Sequence, residues 1–344
     1  MRHWLAGVKG EPLPWLLERA PMNPGVRYFG LLTLLDRSPD DEEVQAAQRA
    51  VMSSGPVPQI LAAQHSDGYW VHPGWGYSPK YRGSVWSLIM LAQLGADGRD
   101  PRVARAATYL LENATSPSGA FSVLQNRSTA GAIHCLNGNL LAALLDLGRA
   151  VDARLQRAVE WEARVITGDG MAPAGEREAP LHYYRSGSCG PGFCCSASGG
   201  KACAWGAVKV MLAFGKLPDE ARTPLVLKAI SAGVDFLLGC DPATADYPTP
   251  ADTRPSFSWF RFGFPLFYVS DVLQNLETLV ALGYGADPRL KNATDFVLGK
   301  QDQLGRWTMD HSYDGKTWVD TEEKCKPSKW VTLRALRVLK AMAG

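Results

Sequence analysis

Four cysteines crowd one short stretch of the chain. In "SGSCGPGFCCSASGGKACAW", residues 186–205, Cys189, Cys194, Cys195 and Cys203 fall within a Gly- and Ser-rich loop that runs into an apolar helix. The preceding helix of the same kind opens on His134 and Cys135. If two neighbouring helices bring these ends together, two chemistries are open. Cys135, Cys195 and Cys203 would hold a zinc ion with a free position that activates a thiol or water, or the cluster would act without metal as a reactive or structural thiol set. The spacings do not form Cys-x-x-Cys, which weakens the metal reading. His134 and Cys135 also join Asp271, in "FYVSDVLQNLETL", as candidate acid/base or nucleophilic groups. Asp271 has the further reading of a buried hydrogen-bond hub.

Aromatic and cationic residues recur at comparable places, just before apolar helices: "KYRGSVW", "KACAW", "SWFRFGFPLFYVSD" and "KCKPSKW". Tyr81, Trp86, Trp205, Trp259, Tyr268 and Trp330 would line a pocket for an apolar ligand or stabilise a developing cation through their π faces. Arg82 and Arg261, flanked by aromatics, would hold a carboxylate or diphosphate head group. Lys326 and Lys329 fit solvated surface better.

The elements that must carry these residues show a repeat. "VWSLIMLAQLGAD", "NLLAALLDLGRAVD", "AVKVMLAFGKLPDE" and "VLQNLETLVALGYGAD" are apolar helical runs ending at Gly95, Gly148, Gly215 and Gly283. Each is followed by an Asp- or Pro-bearing link and a helix with one apolar stripe. Asp before Pro supplies an N-cap, and Gly after the helix a left-handed C-cap. The unit is a helical hairpin that recurs at intervals of roughly 50 to 70 residues. Helices apolar all round belong inside; two-faced ones belong outside. Residues 23–36 and 326–344 add two inner helices, giving six inner and five outer, with residues 14–20 as a partial sixth outer element. Six hairpins can close on themselves, so an all-α toroid with a central cavity fits better than an open array of the tetratricopeptide kind. Residues 1–344 form one such domain, with 1–21 as an extension on the outer ring.

Two outer helices end alike: Gln64 to Trp70 in "AQHSDGYW" and Gln301 to Trp307 in "KQDQLGRW". Gln reaching a neighbouring backbone, Gly allowing the reversal and the indole covering the joint would staple adjacent hairpins. This motif resembles the repeat of squalene-hopene cyclases and the related prenyltransferase β-subunits, with weaker copies at "SPSGAF" and "TGDG". The resemblance implies an α/α toroid around an apolar cavity and an enzyme of the terpenoid cyclase and prenyltransferase type. Its Asp-x-Asp-Asp proton donor is missing. The acidic "SPDDEEV" reads as a helix cap instead of a magnesium site. Farnesyltransferase-like relatives carry zinc on Asp, Cys and His, and lanthionine cyclases on Cys, Cys and His; neither pattern maps onto this chain.

The chain has 344 residues, 46% of them hydrophobic, and a net charge of +2. No basic run suggests nucleic acid, and no stretch suits a signal peptide or a spanning helix. The expectation is a soluble cytoplasmic protein whose partner is an apolar small molecule. A lipid-binding or scaffold protein using the same cavity is the non-catalytic alternative.

Overall fold

The computed structural model describes residues 3–171, 187–250 and 254–344. Six inner helices form a ring in chain order: α2 (Pro24–Thr33), α5 (Ser84–Leu94), α7 (His134–Asp146), α9 (Ala204–Gly215), α11 (Val272–Ala281) and α13 (Lys329–Met342). From α5 to α13 each packs on the next, and α13 packs on α2. The ring closes where Gly25 of α2 lies against α13 at Trp330 and against the Leu94 carbonyl at the end of α5. The Trp330 indole N–H also donates to Asn23 Oδ1 at 2.9 Å. The outer ring holds α3 (Glu42–Ser53) with α4 (Pro56–Ala62), α6 (Pro101–Asn113), α8 (Ala153–Thr167), α10 (Pro224–Leu237), α12 (Lys291–Gly299) and the short α1 (Pro12–Leu17). The fold is an all-α toroid of helical hairpins.

Local chemistry accounts for the helix ends. Asp100 and Asp287, each before Pro, accept the backbone N–H two residues on at 2.9 Å and hold the following Arg side chain as well. Gly95 caps α5 in the left-handed region. Gly215 departs from this pattern: it is the last helical residue of α9, and it is small because Ala281 of α11 packs on it.

The two Gln-to-Trp corners are built alike. The Trp70 indole donates to Ile60 O at 2.8 Å, and the Trp307 indole donates to Val297 O at 2.7 Å. Their backbone N–H groups donate to Ser84 and Thr332, in the first turns of α5 and α13. Gln64 Nε2 donates to Arg102 O in the next outer helix. Gln301 bonds Gly7 O and Lys9 N in the N-terminal segment, which sits where a further outer helix would. A methyl at Gly68 would meet Arg105 O at 3.0 Å, and one at Gly305 would meet Lys9 O at 2.1 Å. These glycines let neighbouring backbone pass.

The segment from Phe257 to Asp271 does not run around the rim. It crosses the ring and is held from four inner helices. The Gln93 side-chain amide pairs both ways with the Leu266 backbone at 2.5 and 2.7 Å. Asn139 donates to Phe267 O, Lys209 to Val269 O and Arg334 to Gly263 O. Phe264 stacks on Trp330 with centroids 4.2 Å apart. This segment crosses the expected central cavity, with one pocket on either side of it.

Candidate functional site

At the end where inner helices begin, a pocket of about 540 Å³ opens over α7, α9 and the crossing segment. It brings together seven of the residues singled out from sequence: His134, Cys135, Cys195, Cys203, Trp205, Trp259 and Tyr268. Their convergence depends on a close approach of α7 and α9. Gly138 faces the α9 backbone so tightly that a methyl there would lie 2.4 Å from the Lys209 carbonyl carbon and the Val210 nitrogen. Gly206 faces His134 in the same way, at 2.8 Å.

Cys203 is the N-cap residue of α9. The loop before it doubles back: Cys195 N–H donates to Lys201 O at 3.0 Å, Cys203 N–H to Phe193 O at 2.8 Å, and Cys194 bridges Ala202. Side chains alternate along such a ribbon, so Cys195 and Cys203 share one face. The Cys195 thiol hydrogen-bonds Cys203; with the Gly206 amide, the Ser198 hydroxyl and the nearby His134, it outweighs burial and brings Cys203 down to about 6. Cys195 is pushed up by the same hydrogen bond and by burial. Burial and the neighbouring Cys203 push Cys135 up to about 12. The set is thus one thiolate at a helix N-terminus with two protonated thiols beside it.

His134 is not free to shuttle protons. Its Nδ1 lies 2.8 Å from the buried Glu162 carboxylate and its Nε2 3.2 Å from Gly190 O. Both ring nitrogens face acceptors, so both carry protons. Burial works against that charge, but Cys189 and Glu162 hold the imidazolium well above the ordinary histidine range. Its role is a fixed positive charge behind Cys203.

The expectation of a metal on Cys135, Cys195 and Cys203 meets a geometric difficulty. Among the described residues no three His, Cys, Asp or Glu side chains are grouped so as to hold a metal ion. The cysteines share a pocket without forming a ligand set.

Asp271 stands apart from the thiols. Its side chain accepts from Gln274 N–H at 2.6 Å as the N-cap of α11, and it pairs with Arg334 at 3.0 and 3.1 Å. Arg334 pairs with Glu277 as well, at 2.8 Å. Asp271 is 3% exposed and committed to a buried cation, so the acid/base expectation gives way to the hub.

Of the remaining aromatic and cationic candidates, Trp86 and Tyr81 stay beside Tyr268 at the pocket's edge and the others lie apart. Trp86 is buried, with its indole on Tyr77 O at 2.7 Å and Phe267 against its face. Tyr81 holds a left-handed φ of 70° and points its hydroxyl at Tyr268, 3.2 Å away. Arg82 clamps Thr317 O and Gly315 O and lies over Trp318. Arg261 faces a different pocket. Trp330 is covered by Phe264 on the far side of the crossing segment.

Sequence reading missed several residues. Lys80 lies 5.0 Å from the Tyr268 ring centroid at the pocket rim. Lys209, buried under the crossing segment, is brought down to about 7 by burial, with Asp271 opposing. A lone Lys in the apolar "AWGAVKVMLAFG" was a legible signal, and so was Glu162 on the buried stripe of α8. On the opposite side, all six inner helices line a chamber of about 710 Å³. Arg337 faces it, over the Phe29 ring at 5.5 Å.

No family model matches the chain, and no curated protein matches it. Among solved structures it is similar to an unsaturated glucuronyl hydrolase specific for heparin, with 11% identity and a TM-score of 0.50 over 97% of this chain and 87% of that one. Type II terpene cyclase MstE from Scytonema matches 83% of this chain and 96% of its own at 15% identity and a TM-score of 0.28. A protein from Actinoplanes matches 84% and 97% at 13% identity and a TM-score of 0.30. The first likeness shows the toroid fold alone. Among the described residues no helix is long and apolar enough to cross a membrane.

Proposed function

We infer that the protein is an enzyme that takes an apolar small molecule, isoprenoids included, into the 540 Å³ pocket and attacks it with the Cys203 thiolate. One observation carries the reading: Cys203 caps the start of a buried helix beside the Cys195 thiol and the Gly206 amide, which lower it below the ordinary thiol range, and it opens on a pocket walled by Trp205, Trp259 and Tyr268. The step balances within the site. The thiolate pair forms a bond to an acyl carbon of the substrate and the displaced pair leaves with the departing group, which takes a proton from Cys195; water then attacks the same carbon, expelling the Cys203 thiolate and returning a proton to Cys195. Cys135 stands by as a second thiol, and the Cys195 hydrogen bond, with the Gly206 amide, the Ser198 hydroxyl and the more distant His134 charge adding to it, favours the ionised Cys203. Protonation of an alkene, as in terpenoid cyclases, finds no support from Asp271, whose carboxyl is held in an ion pair with Arg334.

The test is trapping. Wild-type protein incubated with a lipid-soluble metabolite extract should gain an adduct that peptide mass spectrometry maps to Cys203, and Cys203→Ser should gain none. Equal consumption of extract components by both proteins would overturn the reading.

A second reading, carriage of an apolar ligand without chemistry, is favoured by the 710 Å³ chamber lined from all six inner helices. Native mass spectrometry that finds a retained apolar ligand in both wild type and Cys203→Ser, with no consumption by either, would select it.

A further inference from the structure

A third chamber, of about 290 Å³, lies between the crossing segment and the strand-like stretch at His311. Two polar atoms at its wall have no hydrogen-bond partner among the described residues: Ser270 Oγ and His311 Nε2. Ser270 is 1% exposed. A buried hydroxyl left unpaired costs about 1–3 kcal/mol, and native proteins keep few of them. Here two face one cavity large enough for several atoms of ligand.

The charges around it favour an anion. Arg261 gives one N–H to Asp310 O at 2.5 Å and rests over Phe257, and it pairs with no carboxylate among the described residues. The acids are already engaged: Asp271, which lines the chamber, by Arg334 at 3.0 Å, and Asp310 beside it by Lys300 at 2.8 Å. Burial, then Arg261, Lys324 and Lys316, hold His311 below the ordinary histidine range, with Asp271 opposing. His311 is therefore a neutral imidazole able to donate from Nε2. Ser270 adjoins the N-terminus of α11, whose dipole adds to the same field. Pro265 and Leu266 supply apolar wall.

We propose that this chamber is a binding site for a small organic carboxylate, its oxygens held by Ser270, His311 and Arg261 and its apolar body by Pro265 and Leu266. The site is independent of the Cys203 chemistry.

Isothermal titration at neutral pH with benzoate as probe, and benzyl alcohol as its neutral counterpart, tests it. Benzoate should bind about tenfold more tightly than benzyl alcohol, since one charge-assisted contact set distinguishes them. Ser270→Ala and Arg261→Met should each weaken benzoate about fivefold or more, while Cys203→Ser should leave it unchanged. Absence of benzoate binding to the wild type, equal binding of the alcohol, or full affinity in folded Ser270→Ala would each overturn the proposal. In the last case the hydroxyl is an unpaired group only, and its removal would instead raise the melting temperature.

Discussion

Two inner helices of this toroid begin in the same way and end up with opposite roles. Both α9 and α11 start at a cap residue that can ionise, Cys203 in one and Asp271 in the other. Asp271 faces a guanidinium at 3.0 Å that is itself shared with Glu277, so its charge is consumed by the scaffold. Among the described residues Cys203 draws its stabilisation mainly from neutral donors. It is stabilised by hydrogen bonds from Cys195, Gly206 and Ser198 and by the more distant His134 charge, and it opens on a pocket. Position at a helix N-terminus favours a negative group in both cases. Whether that group is spent or available depends on what faces it.

Substitutions can break or sharpen the contrast. The largest effect is expected for Arg334→Met, which strands Asp271 and Glu277 in the interior; denaturant unfolding should show a loss of about 3–5 kcal/mol. The pH profile of Cys203 alkylation should not move. Gly138→Ala comes next, at about 1–3 kcal/mol, because the α9 backbone has no room for a methyl. It should also slow Cys203 alkylation, since it wedges α7 from α9. Cys195→Ala removes the leading hydrogen bond to the thiolate. The Cys203 midpoint should rise by about one unit, equivalent to about 1.4 kcal/mol, with the melting temperature little changed. The smallest effect belongs to the corners: Gln64→Ala and Gln301→Ala should each cost about 1 kcal/mol in stability and leave the alkylation profile where it was.

The toroid was legible because its determinants are local and periodic. Apolar runs mark the inner helices, Asp-Pro caps and two Gln-to-Trp corners mark helix ends, and six such units can close into a ring. The cysteine cluster was legible as a cluster, since Cys195 and Cys203 lie on one short ribbon. What stayed hidden depends on long-range approach. Nothing near Asp271 in sequence announces Arg334, and nothing near His134 announces Glu162; each pair is made by helices meeting across the ring. The crossing segment was the least legible feature. "FRFGFPLFY" reads as a lining for a cavity, yet it is pulled across the ring by Gln93, Asn139, Lys209 and Arg334, polar groups on four separate inner helices. That single displacement separates Trp330 and Arg261 from the thiols they were expected to join, while Trp86 keeps a small cleft with Cys135 and Tyr268.

The central claim, an activated Cys203, is tested most directly by the rate of its alkylation with iodoacetamide against pH, read by peptide mass spectrometry. Above the midpoint the thiolate is fully formed and the rate is flat; below it each pH unit should lower the rate about tenfold as the thiol takes up its proton. The account predicts a midpoint near 6. A midpoint near 9, the value of an ordinary thiol, would contradict it.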